Sequence, residues 1–275
     1  MKKILILIFL WNNNVNGQII IYEYCFDQLD NCAGYEMSDP EPILTIDLNS
    51  NPTNIWQIGS PQKTLLNTAW SSPKVIITDT INTYPVNDTS SFTIESTAIE
   101  TSSSINWSNF SLQFHYFVDS DSLTDFGLIE FSPDNGTTWI DIINDPFYTG
   151  YLEWVVNNNV GGLPVLTGAS GGWMEAYVNM RQLGVFLNIQ PGTVFMWRFS
   201  FISDAFQNNR DGLMYDNILV EITPPIGLEE VNLSSKRKLV NVFDVLGRET
   251  DVKSNTILIY LYDDGTTEKV FQVDQ

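Results

Sequence analysis

The stretch "WRFSFISDAFQNNRDGLMYDNILVE", Trp197 to Glu221, decides the fold class. Its first half alternates, with Trp197, Phe199 and Phe201 separated by Arg198 and Ser200, and an extended strand sends such residues to opposite faces. A loop rich in Asp, Asn and Gly interrupts it, and a second apolar run begins at Leu213. Neither half has the spacing or the caps of a helix.

Runs of the same kind recur outward in both directions: "QIIIYEY", "NIWQIG", "KVIITD", "SFTIE", "SLQFHYFVD", "DFGLIEFS", "TTWIDII" and "YLEWVV". Asn, Gly, Pro, Ser and Asp clusters separate them. About a dozen strands with no intervening helix predict an all-β chain built as an antiparallel β-sandwich, and their number favours a jelly roll over an immunoglobulin type. In "IEFSPDNGTTWIDI", Ile129 to Ile142, Asn135-Gly136 supplies the positive φ of a tight hairpin. Trp139 can then cover the sheet end and is expected as a core residue, not a ligand platform. "TPP", Thr223 to Pro225, ends the last strand of this region. The expected division is therefore residues 1–17 as leader, 18–225 as jelly-roll sandwich and 226–275 as a small C-terminal β domain.

Charge narrows the partners. The formal net charge is −20, and residues 18–225 hold 5 basic and 24 acidic side chains against 6 and 9 in 226–275. Such a field repels phosphate backbones and anionic membranes, so no nucleic acid is expected as a partner and divalent cations are favoured. Lys2 and Lys3, the apolar run Ile4 to Trp11 and the small residues Val15 and Gly17 read as a signal peptide cleaved before Gln18. That run is too short to span a bilayer and no other candidate span follows it, so an exported chain is expected. In that setting Cys25 and Cys32 are expected to pair, closing a short loop for a gain of roughly 2.5 kcal/mol.

Catalytic signatures are weak. "GASGG", Gly168 to Gly172, fits the pattern of a nucleophile elbow, but no histidine follows Ser170 and the single histidine, His115, lies inside a strand. Two cysteines and one histidine also disfavour the usual zinc sites. A glycoside hydrolase needs only two nearby acids, but Asp125 and Glu130 sit an odd number of positions apart in one strand and face opposite ways. Trp154 and Trp173 flank a long Asn/Gly-rich loop and are the candidate ligand-binding pair, a stacking platform for a sugar ring.

Both regions resemble known families. "IEFSPDNGTTWIDI", the closing stretch Trp197 to Glu221, and the openings "YCFDQLDNCAGYEM" and "NIWQIGSPQKTLLNTAWSSPKVIITD" resemble MAM-like and immune-inhibitor-A-like jelly rolls. Leu213 stands where that family commonly has Trp. The resemblance implies a structural calcium joining acids of the opening and closing strands, which here match Asp27, Asp79 and Asp216, with Asp88 and Asp204 as neighbours; calcium takes six to eight hard oxygens.

The C-terminal words "DVLGRE", Asp244 to Glu249, and "NTILIYLYDDGTTEKV", Asn255 to Val270, resemble the type A C-terminal sorting domain of the type IX secretion system. In that resemblance the motif residues are Asp244, Leu246, Gly247, Arg248, Tyr262, Asp263, Asp264, Gly265, Glu268 and Lys269. The type IX machinery is the implied partner, and the route leads across the outer membrane to the cell surface or medium. Longer members open on a Pro-Asn-Pro element; here "IGLEEVNLSSKRK" takes its place. Three strands, about 239–245, 256–262 and 267–273, are expected in this tail. The reading is an exported binding or adhesion module, calcium-supported and recognising a glycan or a surface protein, with a secreted glycosidase or a structural matrix protein as alternatives.

Overall fold

The structure is a computed structural model, and it describes residues 20–24, 26, 43–71, 73–96, 109–189, 193–206, 209–223, 238–263 and 265–271. The leader, the pair Cys25 and Cys32, and Asp27 and Asp264 lie outside the described residues. The chain forms two compact units, Met1–Ile226 and Gly227–Gln275.

The first unit begins with β1 (Ile20–Tyr24), β2 (Ile43–Ile46), β3 (Trp56–Gly59), β4 (Val75–Thr78) and β5 (Thr89–Glu95). The long strand β6 (Asn109–Asp119) follows, then β7 (Phe126–Ser132), β8 (Ile140–Asp141) and a 3-10 turn at Thr149–Tyr151. Next come β9 (Glu153–Val156), the hairpin of β10 (Asn159–Val160) and β11 (Leu163–Pro164), and β12 (Met174–Asn179). A single-turn helix, α1 (Arg181–Phe186), precedes β13 (Met196–Ile202) and β14 (Gly212–Thr223).

Two antiparallel sheets form the sandwich. One has the order β3-β4-β14-β6-β12-β9, with β1 also on β14; the other is β2-β5-β13-β7-β8. The chain changes sheet at nearly every step from β4 to β7 and again from β12 to β14, which is the crossing pattern of a jelly roll. The two halves of the opening stretch therefore lie in different sheets. β13 is flanked by β5 and β7, and β14 by β6 with β4 and β1. The change of partner from β4 to β1 falls at a register shift between Asp216 and Leu219, where Asn217 adopts φ +46°. A bulge of this kind re-aims a strand, and Asn tolerates the left-handed backbone better than most residues.

Alternation places the core. Trp197, Phe199 and Phe201 of β13 are buried against Phe110, Phe114 and Tyr116 of β6, Phe92 of β5 and Tyr215 of β14. Phe92 and Phe199 stack with ring centroids 4.9 Å apart. Outward-facing Arg198 donates Nε and Nη2 to the two carboxylate oxygens of cross-strand Glu130, at 2.6 and 2.8 Å. Trp139 is half-buried beneath that guanidinium, 4.1 Å from the ring centroid, so it covers the outer surface of the sheet instead of entering the core. The expected hairpin is present: Glu130 faces Asp141, Phe131 faces Ile140, and Asn135 and Gly136 both have positive φ.

A smaller cluster lies on the other face of β4 and β14. Leu66, Val75, Ile77 and Met214 are buried there, with Ala69, Phe117 and Trp173 packed against them. Residues 60–71 thus fold back as a strap over the outer face of the seven-stranded sheet. Polar bonds seat it: the Lys63 ammonium donates to the carbonyls of Thr78 and Asp211, and the Asp211 carboxylate accepts the amides of Leu65 and Leu66. Asp119 supports Asp211 by accepting its amide at 3.0 Å and pairs with Arg210 at 2.8 Å. Further along, Ser71 donates both its amide and its hydroxyl to Asp216, at 2.8 and 2.9 Å.

The second unit is a three-stranded antiparallel sheet of β15 (Leu239–Asp244), β16 (Ile257–Tyr262) and β17 (Thr267–Phe271). Asp244 closes the first turn by accepting the amides of Leu246 and Arg248 and the Arg248 guanidinium, with Gly247 at φ +77°. Gly265 at φ +79° follows Asp263 in the second turn. The Tyr262 hydroxyl donates to Glu268 across it at 2.6 Å, and Lys269 pairs with Ile259 in register. Val242 and Leu258 are buried, whereas Val240, Leu246 and Phe271 are exposed.

Candidate functional site

One end of the seven-stranded sheet carries an open cleft of about 670 Å³ lined by Tyr151, Glu153, Asn179, Arg181, Gln182, Val185 and Phe186. Local turn chemistry builds its aromatic wall. Asp141 accepts the amides of Ile143 and Asn144, and Asp145 accepts those of Phe147 and Tyr148, so two consecutive Asx turns fold the chain back after β8. The 3-10 turn then delivers Tyr151 to the cleft. From the other side α1 buries Leu183 and Gly184 and turns Val185 and Phe186 outward.

Three rings converge there. Tyr151 lies nearly flat on Phe186, with centroids 4.2 Å apart and planes at 25°. Phe147 stands edge-on to Phe186 at 5.7 Å and tilted against Tyr151 at 6.0 Å. Phe186 is 44% exposed and Phe147 57%, unusually open for aromatic rings. The polar wall comes from neighbouring strands in register: Asn179 of β12 faces Glu153 of β9 and donates its side-chain amide to the carboxylate at 3.1 Å. The Asn179 side-chain oxygen accepts the Arg181 amide at 3.0 Å, which fixes the rotamer. Exposed Arg181 and Gln182 complete a set of planar donors and acceptors beside an apolar ring surface.

The residues singled out in the sequence are distributed differently. Trp154 faces Val178 on the core side of β9, and its indole N–H donates to the Ile142 carbonyl at 3.1 Å. Trp173 lies on the outer side, packed on Phe117, and donates its N–H to the Thr68 carbonyl of the strap at 3.0 Å. The two indoles are on opposite faces of the sheet and form no common platform. Trp173 instead stands beside Trp70, centroids 6.5 Å apart, and Trp70 is stacked on His115 at 4.2 Å with planes at 16°.

Asp79 accepts the amides of Ile81 and Asn82 within its own turn, at 2.7 and 2.8 Å, which holds its carboxyl below the usual range despite partial burial. Asp216 is buried and its pKa is pushed up to about 6 by that burial, against the opposing bonds from Ser71 and Asn217. Each carboxylate is thus engaged by its own neighbourhood, and among the described residues no group of three or more His, Cys, Asp or Glu is arranged to hold a metal ion. Of the neighbours, Asp204 accepts the amide of Phe206, while Asp88 is buried with one carboxylate oxygen lacking a hydrogen-bond partner. Ser170 of "GASGG" is structural: its hydroxyl donates to the Gly172 carbonyl at 2.7 Å and accepts the Val118 amide at 3.2 Å.

No protein-family model matches the chain, and no curated protein does. Among solved structures it is similar to the K2 cleaved adhesin domain of Lys-gingipain, at 13% identity over 73% of this chain and 98% of that one, with a TM-score of 0.38. It is also similar to the module TmCBM61 in complex with β-1,4-galactotriose, at 10% identity over 66% of this chain and 88% of that one, with a TM-score of 0.31.

Proposed function

We propose that the sandwich is a non-catalytic glycan-binding module. The observation that carries this reading is the cleft in which Phe186, stacked on Tyr151, stands beside Glu153, Asn179, Arg181 and Gln182. A pyranose presents apolar C–H faces and a rim of hydroxyls, so it is matched by an exposed ring bordered by planar hydrogen-bonding groups. Among the described lining residues Glu153 is the single carboxylic acid, whereas glycoside hydrolysis ordinarily employs two. Binding is therefore favoured over the glycosidase alternative. On a glycan array, Phe186→Ala is expected to weaken the strongest wild-type signal about tenfold while the sandwich stays folded, because the ring is substantially exposed and lies outside the core. A wild-type protein silent across the array would end this reading.

Delivery by the type IX route is part of the proposal, supported by the sorting-domain words and by a tail that forms its own small sheet with turns at Gly247 and Gly265. A reporter fused to a signal peptide and residues 226–275 is expected to reach the surface or medium of a host with that machinery. Retention in the periplasm refutes the sorting role.

Calcium support of the sandwich is proposed on the unpartnered buried oxygen of Asp88 together with the matched Asp27. A site filled to 100 times its dissociation constant adds about 2.7 kcal/mol, so the melting temperature should rise in millimolar calcium over its value in chelator. Equal values in the two buffers remove calcium from the proposal.

A further inference from the structure

The outer face of the seven-stranded sheet continues from the cleft toward Trp70. Strand register fixes the order along β12: Asn179 pairs with Ser111, Tyr177 with Gln113 and Glu175 with His115, all side chains on one face, with Trp173 next. Across from Tyr177, Val155 of β9 is 67% exposed, and Gln113 donates its amide to Glu175 at 2.6 Å. At about 3.3 Å per residue, Asn179 and Trp173 are on the order of 20 Å apart. The far end is an aromatic platform of its own. Trp70 is 53% exposed, with one ring face laid on His115 and Trp173 standing across its edge. The ring is thereby held in one orientation before any ligand arrives, which lowers the ordering cost of stacking.

We propose that this face is one extended track, with Phe186 and Trp70 at its two ends, and that the ligand is an oligosaccharide or polysaccharide chain lacking anionic groups. The proposal rests on the glycan-binding reading of the cleft. Chain length follows from the separation of the two ring platforms. The absence of negative charge follows from the acids that border the track, Glu153, Glu175 and Glu221, which outnumber Arg181 of the cleft, on a chain of net charge −20. Tyr177, midway, is the natural contact for an intermediate sugar ring.

Affinity electrophoresis in gels containing galactan, mannan, β-glucan or polygalacturonate tests this with the full chain. Retardation is expected in at least one neutral polymer and not in polygalacturonate. In the retarding gel, Phe186→Ala and Trp70→Ala should each weaken binding about tenfold, Trp70→Phe should largely restore it, and short oligosaccharides of the same polymer should compete less well than long ones. Should Trp70→Ala fail to fold, Tyr177→Ala probes the same track from its exposed middle. If Phe186→Ala weakens binding while Trp70→Ala and Tyr177→Ala do not, the track is overturned and the cleft stands. Retardation by polygalacturonate alone overturns the charge selection, and no retardation in any gel overturns both readings.

Discussion

Lys63→Met is expected to lower the unfolding free energy of the sandwich by about 3–5 kcal/mol, the range seen when one member of a buried charged group is deleted. The size follows from what the ammonium satisfies. Lys63 is 7% exposed and donates to the carbonyls of Thr78, at the end of β4, and Asp211, just before β14. Both carbonyls would be left buried without that donor, at about 1–3 kcal/mol each. Nearby Asp79, Asp119 and Asp211 would also lose their counter-charge. Urea denaturation monitored by tryptophan fluorescence measures the loss, and a change below about 1 kcal/mol would contradict the role assigned to the ammonium.

The same residue gives a pH signature. Burial lowers the Lys63 pKa to about 8, with the three aspartates opposing the shift. Between about pH 8 and the ordinary lysine value near 10.5 the folded chain gives up this proton while the unfolded chain keeps it. The unfolded state then binds more protons, so stability rises with pH across that window as the desolvation cost of the buried charge is relieved, and this gain is absent below about pH 8, where the two carbonyl hydrogen bonds remain. Subtracting the Lys63→Met curve from the wild-type curve isolates it.

Gly212→Ala is expected to cost about 2–5 kcal/mol at the adjoining position, by a different mechanism. Gly212 adopts φ +99°, where side chains are strained, and a methyl group built there would sit 2.2 Å from the Thr78 hydroxyl oxygen. That hydroxyl has no room to move aside, since it donates to the Leu213 carbonyl at 3.1 Å and accepts the Leu213 amide at 2.9 Å. Gly171→Ala is the matched control: it also has positive φ, but its Cβ would meet nothing within 4 Å. Chemical denaturation should show a clearly larger loss for Gly212→Ala, and equal losses would assign the whole cost to backbone strain.

Strands were the most legible part of the sequence because their signal is local. The alternation Trp197, Phe199, Phe201 is the core face of β13, the Asn135-Gly136 hairpin joins β7 to β8, and the three tail strands fall within a few residues of their expected bounds. Sheet membership was not legible. The loop between Ile202 and Gly212 has the same turn chemistry whether it joins neighbours in one sheet or crosses to the other, and here it crosses.

The pairing of Trp154 with Trp173 illustrates the limit. Their positions around one loop are visible in sequence, but the face each occupies depends on the register of β9, β12 and β6, which only the folded sheet fixes. The strap was invisible for another reason: "SPQKTLLNTAW" has no strand or helix period, and Lys63 becomes structural only when Thr78 and Asp211 are brought beside it. The cleft left a faint trace. "FYTGY", Phe147 to Tyr151, concentrates aromatic residues in a segment without strand alternation, the pattern of rings held at a surface by turns.

Lys63 also has a consequence for the ionic conditions in which the strap stays closed. Its positive charge is tethered by a side chain of the same molecule, so it is supplied in fixed stoichiometry and at a high effective concentration set by the fold. Dilution cannot deplete it. The joint between the strap and the sheet therefore draws its cation from the polypeptide, and below about pH 8, where Lys63 is protonated, it needs no metal ion from the surrounding medium.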